Sequence, residues 1–237
     1  MLALAIDTAI EPAVVGVVDL ASEKTRSERI WDGGRRHTRE LAPTVREVLS
    51  EADTDLEVLS LIAVARGPGS YTGVRTGISV AKGIALALGG SVPLCGVATT
   101  SILLHKAYAA APRKPGPMRL LAALPAGRNR WIWGWLNPDE PWRELGTPDL
   151  VNGSLDQLVQ AASRGPAMDW QSWLCADRDA DLEHGLAGLP GLCWPGRKER
   201  LRTSLTLARL ARDRLATSER SDPESVVPVY FSSAEAV

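Results

Sequence analysis

The chain has 237 residues, of which 45% are hydrophobic and 23% charged, and its formal net charge is -1. This is the composition of an ordinary globular protein long enough for one large domain or two smaller lobes. The near-neutral balance excludes a strongly basic stand-alone nucleic-acid binder. No apolar run reaches the ~20 residues of a membrane span.

Residues 2–6, 13–18 and 25–31 are short apolar or alternating runs with brief connections, and they predict an antiparallel meander of three strands. Gly33-Gly34 breaks the chain. The spacing of Leu41, Val45, Val48 and Leu49 then predicts a helix over 38–51, with Pro43 in its first turn. Residues 61–65 read as a buried strand, 74–88 as a helix and 92–97 as a further strand. Thr99 or Thr100 is placed to cap a helix that runs to about 109.

Three prolines within 111–117 mark a linker. After it come a strand at 119–124 and a second strand on which Trp131, Trp133 and Trp135 alternate, so that all three point to one face, beneath a helix or along an interface. A short helix at 155–162, a strand at 172–176, a loop over 177–191, a helix over 199–217 and an extended tail at 226–230 complete the chain. The first half reads β-β-β-α-β-α-β-α and the second resembles a shorter version of it. Two such lobes point to an α/β, two-lobed, actin-like or sugar-kinase-like (ASKHA) fold with a reduced second lobe. The expected division is a first lobe over 1–110 and a smaller one over 118–237, the final helix packing back on the first.

The most distinctive segment is Gly67-Pro68-Gly69-Ser70-Tyr71-Thr72-Gly73-Val74-Arg75-Thr76-Gly77. It joins a strand to a helix, a corner whose free amides can hold an anion. It is neither a dinucleotide fingerprint nor a P-loop: Thr72 stands where the third fingerprint glycine belongs, and no lysine follows before Lys82. Ser70 has Pro68 and Thr72 where a nucleophile elbow has glycines. Gly73, Gly77, Ala81, Ala85 and Gly89 recur every four residues and form a stripe of very small side chains. Glycine inside a helix costs about 1 kcal/mol relative to alanine. The stripe therefore implies close approach of another backbone, either the protein's own sheet or a partner helix.

His37, His105 and His184 form no pair at helical metal-ligand spacing, and Cys95, Cys175 and Cys193 are scattered and odd in number. The expectation is no metal site and a reducing, cytoplasmic location; a strand starting at residue 2 leaves no room for a cleaved leader.

The chain resembles the bacterial TsaB family, also called YeaZ, in four places. These are Leu4-Ala5-Ile6-Asp7-Thr8, then Arg36-His37-Thr38 with Leu41 and Pro43, then the run from Ala65 to Gly77, and Pro228-Val229-Tyr230 near the end. The likeness is specific over 1–105 and thin over 115–220. The family's Asp-Ala-Arg-like turn is replaced by Leu124-Pro125-Ala126-Gly127-Arg128, which lacks the aspartate.

The resemblance implies a partner protein in the synthesis of threonylcarbamoyladenosine on tRNA, with no catalytic residue, metal or cofactor of its own. It implies docking to a TsaD-like transferase through the helices at 38–51 and 74–89, with Leu41, Val45, Val48, Val74, Gly77, Ala81 and Ala85 as contact or supporting residues. It further implies a platform for a TsaE-like ATPase, ATP or ADP at the partner interface, tRNA reached through the complex, and self-pairing when alone. Beside it stand direct tRNA binding, which the near-neutral charge disfavours without partners, and two enzymatic rivals. One is a small ATP-binding phosphotransferase of the same fold, with Asp7, Thr8, Gly69 and Ser70 at the phosphate. The other is a glycoprotease-like peptidase, for which neither a metal pair nor a base near Ser70 in the sequence speaks.

Overall fold

The three alternating runs at the start form the expected meander: β1 (Leu2–Asp7), β2 (Ala13–Asp19) and β3 (Lys24–Trp31) pair antiparallel. The computed structural model describes residues 1–32, 37–110, 118–127, 129–136, 145, 149–164, 171–176, 180–189, 192–194, 202–217 and 223–230. The linker at 111–117 and Arg128 lie outside these. The remaining elements are α1 (His37–Glu51), β4 (Leu61–Ala65), α2 (Tyr71–Ala87), β5 (Leu94–Val97), α3 (Thr99–Ala110), β6 (Met118–Pro125), β7 (Arg130–Leu136) and β8 (Leu150–Ser154). They are followed by α4 (Leu155–Ser163), β9 (Gln171–Cys175), α5 (Ala180–Leu186), β10 (Leu192–Cys193) and α6 (Ser204–Thr217).

The chain divides into two compact units: Met1–Thr99 with Arg202–Tyr230, and a second within Thr100–Leu201. In the first, the strand order is β3-β2-β1-β4-β5, with β4 parallel to β1 and β5 parallel to β4. Ile6 and Val64 are paired in register and both approach Gly77, so that face of the sheet carries α2, and α1 packs beside it. Ala5 and Gly16 pair on the opposite face, where Ser204 at the start of α6 lies against Gly16. Glu28, paired with Gly16, accepts from the Ser204 amide at 2.8 Å and its hydroxyl at 2.5 Å, satisfying a helix-start donor.

The second unit repeats the order as β8-β7-β6-β9-β10, again with two antiparallel and two parallel pairings. Its core is built from Trp131, Trp133, Leu121 and Leu174 of the strands and Leu158, Leu182 and Leu186 of α4 and α5, with Trp135 partly buried against them. The tryptophan strand therefore packs beneath helices. Ser154 and Gln157 form a reciprocal capping box at α4.

Several sequence expectations are corrected. The span 177–191, expected to be loop, contains α5, whose Gly185 fits against Leu155 and Val159 of α4; tertiary contact overrides its polar, glycine-bearing composition. Strands β8 and β10, of five and two residues, pair with neighbours and are too short to announce themselves as strands. Helix α6 starts at Ser204, five residues later than expected, where Glu28 supplies the end group. Pro43 sits in the second turn of α1, since the helix begins at His37. Helix α2 begins at Tyr71, three residues early, because Ser70 caps it. Thr99 and Thr100 do not cap α3, for both hydroxyls are buried without a hydrogen bond.

Candidate functional site

The glycine loop at the carboxyl end of β4 is shaped by the turn that leaves β1. The Thr8 hydroxyl donates to the Gly73 carbonyl at 2.7 Å, and the Ser70 amide donates to the Ala9 carbonyl at 2.6 Å. A Cβ on Gly69 would collide with the Ala9 carbonyl, one on Gly73 with the Thr8 carbonyl, and one on Gly77 would stand 2.5 Å from the Thr8 hydroxyl. At Gly73 and Gly77 the small-residue stripe is thus explained by the protein's own Thr8. Side chains are excluded where α2 crosses the β1–β2 turn. Gly89, the last of the stripe, lies beyond the helix, and a Cβ added there would meet nothing within 4 Å.

This closure uses up the groups expected to hold phosphate. Ser70 accepts from the Gly73 amide at 3.2 Å as the N-cap of α2, and its own amide is spent on Ala9. Thr8 is 1% exposed and committed to Gly73, and Gly69 is pressed against Ala9. Asp7, 2% exposed, accepts from the Ala9 amide at 3.0 Å and is ion-paired through Oδ2 to Nη1 of Arg202. Arg202 is equally buried, and its Nη2 donates to the Ile10 and Pro12 carbonyls, both at 2.7 Å. Asp7, Thr8, Gly69 and Ser70 do come together, and the side chains of Asp7, Thr8 and Ser70 all bond within the chain. Arg202 is the residue that sequence reasoning missed. Its signal was faint: one arginine flanked by leucine and threonine just before an apolar helix.

The partner-contact assignments also change. Leu41, Val45, Val48, Val74, Gly77, Ala81 and Ala85 are all buried within the single chain, facing the sheet or the neighbouring helix, so none presents a surface to a partner. The outward face of α2 instead carries Arg75, Ser79, Gly83 and Leu86, the last 80% exposed, and nothing lies within 4 Å of a Cβ added at Gly83. On α1 the exposed positions include Ala42, Pro43, Arg46 and Glu47.

In the second unit a cavity of about 630 Å³ lies between the β6–β7 turn and helices α4 and α5. Asn129, Trp131, Asp156, Asp181 and His184 are among its lining residues. Cys175 is no nucleophile: burial pushes its thiol up and keeps it protonated. Among the described residues no group of three or more His, Cys, Asp or Glu side chains could hold a metal ion, and no helix is long and apolar enough to cross a membrane.

Two units of one strand order, each with its first strand ending at a turn covered or flanked by helices, define an actin-like α/β fold. A sugar kinase shares it: the inorganic polyphosphate/ATP-glucomannokinase from Arthrobacter sp. strain KM superposes with a TM-score of 0.51 at 10% identity, over 92% of this chain and 99% of that one. YeaZ from Pseudomonas aeruginosa superposes with a TM-score of 0.72 at 27% identity, covering 97% and 99% of the two chains. The family model described as TsaD, tRNA N6-adenosine threonylcarbamoyltransferase, matches residues 31–138. The tRNA threonylcarbamoyladenosine biosynthesis protein TsaB of Escherichia coli K12 is 34% identical over 187 residues, 76% of each chain. Its namesake in Bacillus subtilis 168 is 36% identical over 103 residues, 44% of this chain and 43% of that one. The chain belongs to the TsaB family.

Proposed function

We propose that this chain works in tRNA threonylcarbamoyladenosine biosynthesis as an accessory subunit that docks a TsaD-like transferase and performs no chemistry itself. The observation that carries the accessory role is the closed corner around Asp7. A phosphotransferase of this fold would present that carboxylate and the loop amides to a nucleotide. Here Arg202 neutralises the carboxylate, and the Thr8 hydroxyl, the Ser70 hydroxyl and the Ser70 amide are all engaged within the chain. The same closure speaks against the peptidase, because Ser70 serves as a helix cap.

Docking is assigned to the carboxyl-terminal half of α2, around Ser79, Gly83 and Leu86, with the exposed side of α1 beside it. An 80%-exposed leucine next to a glycine with open space above it suits close approach of a partner helix. A homologous lobe of the transferase would meet it in a pseudo-two-fold arrangement, and a second copy of this chain would do so when the transferase is absent. Nucleotide and the ATPase subunit are assigned to the assembled complex.

The test is Gly83→Arg, which adds a long charged side chain to the exposed face without touching the core. Complex formation with the transferase and threonylcarbamoyladenosine formation on tRNA should both fall at least tenfold, while the thermal midpoint of the isolated chain stays within a few degrees of the wild type. Undiminished assembly and modification would rule the docking face out.

A further inference from the structure

We propose that Tyr71, Tyr230 and Arg75 form a platform on which one unpaired base of the RNA substrate stacks; this rests on the tRNA role proposed above. Tyr71 is 60% exposed and Tyr230 41% exposed, two of the large apolar side chains left at the surface. Their ring centroids are 5.2 Å apart with the planes 30° from parallel. The Arg75 guanidinium lies 4.9 Å from the Tyr71 ring centroid and donates through Nη1 to the Tyr71 hydroxyl. Its remaining N–H donors are available for a phosphate. Exposed aromatic faces beside an arginine are the elements by which proteins hold single-stranded nucleic acid.

Both tyrosines are held in place before any ligand arrives. Tyr71 is the first residue of α2, directly after the Ser70 cap. Tyr230 follows Val229, whose amide donates to the Arg66 carbonyl at 2.7 Å, and Val226 is buried against Gly96. A pre-positioned stack loses little entropy on binding.

Location and chemistry narrow the occupant. The platform lies beside the loop at the carboxyl end of β4, the end of parallel strands at which open α/β sheets receive ligands. In the nearby corner the side chains of Asp7, Thr8 and Ser70 are engaged within the chain, so the exposed groups on offer to a nucleotide are the two rings and the Arg75 cation. The docking face, centred on Gly83 and Leu86, lies further along the same helix. Tyr71 and Leu86 are separated by about 22 Å at 1.5 Å per residue. A base on the platform and a transferase centred on Gly83 and Leu86 are therefore compatible.

The experiment uses the complex of this chain with its transferase and ATPase subunits and, as probe, an in vitro transcribed tRNA with adenosine beside the anticodon. Filter binding across a salt series reads RNA affinity, and size-exclusion chromatography reads assembly. Tyr71→Ala and Tyr230→Ala should each weaken tRNA binding roughly tenfold with assembly intact, and Tyr71→Phe should bind as the wild type does. Arg75→Gln, fully at the surface, should lower the salt slope by about one while the complex still forms. Unchanged RNA affinity in all the variants overturns the platform. Loss of assembly in Tyr71→Ala or Arg75→Gln also overturns it and makes the patch a protein anchor, leaving the accessory role standing. If the wild-type complex shows no affinity for the tRNA, the platform fails; if Gly83→Arg also leaves assembly intact, the docking face fails separately.

Discussion

The two units share one strand order but treat the end of their first strand in opposite ways. In the first, the β1–β2 turn is buried: α2 closes over it, and Asp7, Thr8, Ala9 and Ile10 are each no more than 4% exposed. In the second, the β6–β7 turn borders a cavity of about 630 Å³, and the helix after the fourth strand has 7 residues rather than 17. The difference follows from the small residues in the loop before α2 and in its first turns, and from a distant arginine. Glycines at 69, 73 and 77 let one backbone settle onto another, and Arg202 supplies the charge that makes a buried aspartate tolerable. The second unit fills its interior with tryptophan and leucine instead and leaves its turn open.

The comparison breaks most severely at Arg202. Replacing it with methionine strands the Asp7 carboxylate and leaves the Ile10 and Pro12 carbonyls without their donor. Chemical denaturation should show a loss of about 3–5 kcal/mol. A loss below ~1 kcal/mol would mean that the corner is not held by this pair.

An intermediate effect separates the units by their helix glycines. Gly73→Ala forces a methyl group into the Thr8 carbonyl and should destabilise by about 1–3 kcal/mol. Gly185→Ala in α5 meets only side-chain methyl groups, of Val159 and Leu155 at 3.3–3.4 Å, and gains helix propensity. It should stay within ~1 kcal/mol of the wild type. Equal losses in parallel urea titrations would show that backbone contact is not what distinguishes the two corners.

How legible this was depended on the range of each interaction. The β-β-β-α-β-α-β-α order of the first half follows from local alternation and helical spacing, and the glycine stripe announced that some backbone comes close. Which backbone it was could not be read, because Thr8 and Gly73 are joined only by the fold. The Asp7–Arg202 pair spans nearly the whole chain and leaves almost no local trace. Helix α5 was hidden for a different reason: its helical state depends on packing against α4, which no property of residues 180–186 alone expresses. An apolar stripe such as Leu41, Val45, Val48 and Ala81 marks what is buried, whereas a docking face is read from what is left outside.

The smallest predicted effect concerns acid. Asp19, the last residue of β2, accepts from the Ala21 amide at 3.0 Å and from Arg26 at 3.2 Å, and these bonds, the backbone one foremost, hold its carboxyl down at about 2 against an ordinary 3.8. The ionised form is favoured by folding. Its stabilising contribution is therefore complete above about pH 4 and is lost as pH falls through about 2. The corresponding tie across β7 and β8 is neutral on one side, Arg130 to Asn152, and has no carboxylate to protonate. Carboxyl-detected NMR should place the Asp19 midpoint near 2, and Asp19→Asn should remove that part of the acid dependence without altering stability trends at pH 6–8. A midpoint at 3.8 would remove the distinction.

The buried pair between Asp7 and Arg202 has a consequence for biogenesis. Thr99 and Arg202, successive in the first unit, are separated by roughly a hundred residues of nascent chain, which a ribosome needs about 5–20 s to add. Until then the sheet of that unit emerges with an uncompensated carboxylate beneath a helix not yet able to seat. The first unit is thus begun before the second but cannot close until residues 100–201 have been translated, and the interval is the stage at which a chaperone has most to protect.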